Sequence, residues 1–134
     1  MKKAFSLLEL IFAIVVIGII SSVAIPKYLD TRNSAVASTI KRDISTATTS
    51  IQSHYLVNGE ITNISDAISL NNEYWTSDEP LKVIYKEGGN NCVVLEVKDD
   101  NSSKVLSLTI TPSSGPICTM LNEDGIVDTD YELF

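Results

Sequence analysis

Few side chains in this 134-residue sequence have the type and spacing to do chemistry, and one stands apart. Glu9 is the single charge in an apolar run from Phe5 to Ile25. A carboxylate in a membrane-length apolar helix costs several kcal/mol unless it is protonated or paired. No basic residue lies on the run to pair with it, so Glu9 calls for a cation from elsewhere. Catalytic chemistry has little support. His54 is the only histidine, and it reads as a partly exposed helix residue rather than a general base. No Ser-His-Asp order and no phosphate-cradling glycine loop can be assembled. The chain is therefore expected not to be an enzyme and to need no cofactor.

Three other groups remain. Asn122, Asp124, Asp128 and Asp130 offer several hard oxygens in a short span, which would suit calcium. Their spacing does not match an EF-hand loop, and a solvated acidic tail is the preferred reading. Asp99-Asp100-Asn101-Ser102-Ser103 is similar to the extended bacterial N-glycosylation sequon, with an acid two residues before Asn101 and a serine two after. A polar hairpin loop is the simpler reading of the same residues. Cys92 and Cys118 are the only cysteines. If the apolar run puts the rest of the chain outside the cytoplasm, both lie in an oxidising compartment and a disulfide is preferred. In the chain-entropy model that bridge is worth about 3–4 kcal/mol. A metal site on two thiols and one distant histidine is not expected.

The elements that must position these residues follow from periodicity. Phe5 to Ile25 as a helix would be roughly 31 Å long, enough to cross a hydrocarbon core. Lys2 and Lys3 would keep the N-terminus cytoplasmic. Beyond Pro26 the helical pattern continues. Val36, Ile40, Ile44, Ala47, Ile51 and Tyr55 form one apolar stripe. Asn58-Gly59 supplies the stop. One helix over 5–57 would be roughly 80 Å long, with a kink or local melting expected over 18–26 because Pro26 removes a backbone bond. Glu60 to Pro80 reads as a connecting loop, with Ser65 capping a short helix over Asp66–Leu70 and with Tyr74-Trp75 as a core or loop anchor. Leu81, Val83 and Tyr85, then Val93, Leu95 and Val97, then Leu106, Leu108 and Ile110 are three period-2 runs joined by short turns. Gly88-Gly89 is the first of those turns. Ile117–Met120 reads as a fourth strand or a return towards Cys92, and Leu121–Phe134 as an irregular acidic tail. The fold class expected is α+β, a long N-terminal helix on a three- or four-stranded antiparallel sheet.

Charge is distributed unevenly. From Pro26 to Leu56, Lys27, Arg32, Lys41 and Arg42 stand against Asp30 and Asp43, a net +2. From Val57 onward 14 acidic residues face four lysines, a net −10. Such a surface repels phosphate backbones, so no nucleic-acid partner is expected for it.

Four readings fit the N-terminus. Ser22-Val23-Ala24 resembles a small-x-small signal-peptidase site, but the run is longer than a secretory h-region and Glu9 interrupts it. A plain anchor leaves Glu9 without a role. A lipoprotein signal would need a cysteine near the run's end. The fourth reading takes Ala4-Phe5-Ser6-Leu7-Leu8-Glu9 as a unit. This stretch resembles the type IV prepilin leader and cleavage motif, with the cut between Ala4 and Phe5. Lys2-Lys3 is similar to the family's short basic leader, Glu9 to its near-invariant glutamate and Pro26 to its kink-forming proline. Alanine before the cut departs from the usual glycine. The resemblance covers roughly the first 35 residues closely.

What the resemblance implies is a leader over 1–4, a spine over 5–57 and a head over 58–134. Residues 5–25 of the spine would be transmembrane or filament core, and 26–57 amphipathic. A prepilin peptidase would cut the chain, and the new amine of Phe5 would then be methylated. Glu9 would pair with that amine on a neighbouring copy as subunits leave the inner membrane for an assembly platform and a periplasmic or extracellular filament. The implied function is a structural filament subunit that polymerises with itself or with other pilins. A pseudopilin of a type II secretion system is one alternative, and some pseudopilins carry a calcium site in the C-terminal loop. A membrane-anchored periplasmic binding module that never polymerises is another.

Overall fold

The structure, a computed structural model, describes residues 4–133. Met1, Lys2 and Lys3 of the expected leader lie outside the described residues. The fold is α+β, a long N-terminal helix packed on an antiparallel sheet of five strands. The helix, α1, spans Leu7–Asn58 and remains helical through Gly18–Pro26. Two compact units meet within it, between Asn33 and Ser34.

In the first unit every described residue from Ala4 to Arg32 is exposed. In the second, α1 turns one face inward. Ala37, Ile40, Ile44, Ala47, Thr48 and Ile51 are buried, and Val36 and Tyr55 pack at the margin. This is the stripe expected from the 3.6-residue period. Thr48 is tolerated there because its hydroxyl donates to the Ile44 carbonyl at 2.8 Å.

The strands are β1 (Trp75–Glu79), β2 (Lys82–Glu87), β3 (Asn90–Asp100), β4 (Ser103–Ile110) and β5 (Thr129–Glu132), each pairing with the next. The inner face follows from the register. Trp75 lies opposite Tyr85, Tyr85 opposite Val93, and Val93 opposite Ile110. Val83, Leu95 and Leu108 form the next row, then Val97, Leu106 and Tyr131. These side chains and the stripe of α1 belong to one hydrophobic core. Both hairpins at the centre of the sheet close through two residues at positive φ, Gly88-Gly89 and Asn101-Ser102. That geometry matches the right-handed twist of the strands.

The sheet is wider than the three or four strands expected. β1 falls in the stretch read as a loop, and β5 in the tail read as irregular. Both are edge strands with little alternation to see. Only Trp75 is buried in β1, and Thr129 and Tyr131 are half-buried in β5. The exposed positions carry Asp78, Glu79, Asp130 and Glu132, the charges that keep edges from pairing with other chains. Asn63, not Ser65, caps a 3₁₀ turn at Ile64–Asp66, its side chain accepting from Ser65 N–H at 3.0 Å. Ile117–Met120 is neither strand nor loop. It lies in a helix, α2 (Pro116–Glu123), whose Cys118 and Leu121 face the core. Gly115-Pro116 is the start signal, with proline at the first helical position.

Gly115 has no side chain to cap α2, and β2 supplies one. The Glu87 carboxylate accepts from Ile117 N–H at 3.1 Å and from Cys118 N–H at 3.4 Å. A Cβ on residue 115 would occupy the space of that carboxylate. Glycine is required here for clearance, not for its backbone freedom. Glu87→Ala should lower head stability by about 1–2 kcal/mol, the worth of a charged cap. Gly115→Ala should cost a similar amount alone and much less on top of Glu87→Ala. Denaturant unfolding of the four proteins checks this, and additive losses would sink it. Ser102 sits at φ 79° without being glycine. Ser102→Gly should therefore raise the unfolding midpoint by an amount equivalent to about 0.5–1 kcal/mol.

Candidate functional site

The described residues contain one helix long and apolar enough to cross a membrane, and its apolar window is entirely unburied. The candidate site is its first turn. Ser6 precedes α1 as the N-cap, and its Oγ accepts from Glu9 N–H at 3.1 Å. Ser6-Leu7-Leu8-Glu9 is thus half of a capping box, a serine followed three residues later by glutamate. The sequence carries this signal in the same residue that stands out as a charge in an apolar run. Glu9 also lies in the first turn, where the helix dipole favours a negative charge. Its position is cheaper than a carboxylate at mid-helix would be, but the surroundings remain apolar. Phe5, Leu7 and Leu8 are each at least 75% exposed, and Phe12 is 70% exposed.

The expected scissile pair, Ala4 and Phe5, is exposed and precedes the helix. Ser22-Val23-Ala24 is inside α1, with Ser22 Oγ donating to the Ile19 carbonyl at 2.7 Å. Pro26 is likewise inside α1 and exposed. Its missing N–H leaves the Ser22 carbonyl without the usual donor four residues on.

Cys92 and Cys118 form a disulfide with their Cα atoms 5.7 Å apart. A bulge makes it reachable. Tyr85 pairs with Val93 while Lys86 pairs with Asn91, so Cys92 is the extra residue of β3. Strict alternation would put Cys92 and Val93 on opposite faces. With the bulge both are buried, at 1% and 0% exposure, and Cys92 meets α2.

The acidic residues do not assemble. Among the described residues no group of three or more His, Cys, Asp or Glu side chains is arranged to hold a metal ion. Asp124 follows the last turn of α2, and Asp130 lies on β5 opposite Ser107. Asp128 Oδ1 accepts from Ile110 N–H at 2.8 Å, extending the β4–β5 ladder with a side chain. The residues of the calcium alternative are thus spread over α2, the loop that follows it and β5. Asn101 is exposed at the β3–β4 turn. His54 contacts Asn58, with Nδ1 of the ring 3.3 Å from the amide nitrogen. Trp75 is a core anchor, its indole N–H donating to Asp43 on α1 at 3.0 Å.

No family model, no curated protein and no solved structure matches the chain.

One titration in the core has a stability consequence. Tyr85 is 4% exposed, with its ring 6.1 Å from that of Trp75. Burial first, then the Glu87 carboxylate and Tyr74, push its phenol from 10 up to about 12. The folded state holds the proton more tightly than the unfolded state does. The contribution of the neutral phenol is whole below pH 10 and is lost as pH rises towards about 12. Denaturation midpoints should fall across that window, and Tyr85→Phe should flatten the fall. An equally steep fall in Tyr85→Phe would contradict the assignment.

Proposed function

We propose that this chain is a structural subunit of a type IV pilin-like filament, held in the inner membrane by its N-terminal helix and polymerised through it. The observation that carries the reading is the unbroken exposure of Leu7–Arg32 on a helix whose first turn bears Glu9. A soluble monomer does not leave so large an apolar surface in water. Lipid can cover the surface, and so can the same helix of other copies. Glu9 distinguishes the two covers. In lipid the carboxylate is a cost. Between copies, a new amine on Phe5 of a neighbour supplies its cation, and a subunit out of axial register leaves both charges unpaired. Prepilin peptidase and an assembly platform are the partners this reading requires. A pseudopilin in a secretion filament would use the same contact.

The Ser6–Glu9 spacing favours a second reading, in which Ser6 caps the Glu9 N–H and the Glu9 side chain serves only to complete the capping box of a non-polymerising anchor. Glutamine preserves capping and removes the charge. Glu9→Gln should therefore reduce filament yield about tenfold or more, equivalent to roughly 1.4 kcal/mol or more per contact. Ser6→Ala should leave the yield within about twofold. Electron microscopy of sheared surface and periplasmic fractions gives the measurement. Normal filaments from Glu9→Gln would remove the register role. The mature N-terminus gives an independent check by mass, with methylated Phe5 expected and an intact Met1 supporting the simple anchor.

A further inference from the structure

Two asparagines carry the N-x-Ser acceptor pattern, Asn63-Ile64-Ser65 and Asn101-Ser102-Ser103. Their surroundings separate them. At Asn63 the side-chain oxygen accepts from both Ser65 N–H and Ser65 Oγ, at 3.0 and 2.8 Å. The middle residue, Ile64, is 2% exposed in the core, and its N–H donates to the Pro80 carbonyl at 2.8 Å. Presenting that tripeptide to an enzyme cleft would pull Ile64 out of the core. At Asn101 the opposite holds. Every residue from Lys98 to Ser103 is exposed, and the first buried positions down the hairpin are Val97 and Val105. Opening the last two pairs, Asp100–Ser103 and Asp99–Lys104, uncovers no core. The turn also holds Ser102 at φ 79°, so opening relieves an unfavourable backbone state. Asp99, two residues before Asn101, is exposed, and its carboxylate lies 2.9 Å from Lys104 Nζ, a surface ion pair that a basic subsite would replace.

We propose that Asn101 is a glycan acceptor and that Asn63 is not. This rests on the reading that places the head outside the cytoplasm. The donor class is a polyprenyl-diphosphate-linked saccharide used by a membrane oligosaccharyltransferase. The Asn101 amide nitrogen forms a bond to the anomeric carbon. The bond from that carbon to the diphosphate oxygen breaks, and its electron pair leaves on the polyprenyl diphosphate. One amide proton passes to solvent. The glycan projects from the end of the β3–β4 hairpin, where it meets no buried residue of the head.

The test expresses the full chain in bacteria that carry such a transferase and lipid-linked glycan, with a control acceptor in the same cells, and reads intact mass. One glycan increment is expected on the wild type and on Asn63→Gln, and none on Asn101→Gln or Ser103→Ala. Asp99→Ala should lower occupancy severalfold. The same spectra report the Cys92–Cys118 pair. A bare chain with oxidised cysteines, beside a modified control, would overturn the acceptor assignment alone. A bare chain with reduced cysteines would overturn the outward-facing head and the assignment with it. An increment retained by Asn101→Gln would place the modification elsewhere and refute the choice of site.

Discussion

Ile40, Ile44 and Ile51 are fully or almost fully removed from water beneath the inner rows of the sheet, and that burial sustains both elements. A single antiparallel layer has one apolar face and must cover it. The second half of α1 has an apolar stripe and a polar back, with the same need. Each supplies the cover for the other. Ala37 and Ala47 on the stripe share that core with the large side chains of the sheet, Trp75 and Leu95 among them. Asp43 then fixes the sideways position of helix on sheet, because its carboxylate meets the indole N–H of Trp75.

A core of this size leaves little surplus stability, and the remaining devices support its margins. The disulfide ties α2 to β3. Glu87 ties the same helix to β2 through its unsatisfied N–H groups. Asp128 closes the far end of β4. Two carboxylates of the strongly acidic head, Glu87 and Asp128, thus accept from backbone N–H groups within it, and Asp43 of α1 accepts from Trp75. The head's acidity is partly an internal hydrogen-bonding inventory and not only a solvated surface.

The stripe from Val36 to Tyr55 and the three central strands were legible in the sequence because burial on one face imposes a period that residue types record. The disulfide was legible from compartment and cysteine count. The edge strands were not, since β1 and β5 each bury too little to leave a pattern. Nor was α2, where Ile117-Cys118 resembles a strand fragment until Gly115-Pro116 is given its weight. Alternation alone would also misplace Cys92, because a bulge shows only in pairing. The Ser6–Glu9 cap was visible as a four-residue motif, but the anomaly of a charge in an apolar run drew the reading to its partner in space instead.

No buried core residue among those described precedes Ala37. The head's interior is complete without any side chain from the segment that ends at Arg32. Under the proposed filament role, the surroundings of Leu7–Arg32 would change from acyl chains to protein side chains while the core of the head keeps its packing. Transfer between two solvents would then be a matter of exchanging neighbours, and the chain would not need to refold to change its phase.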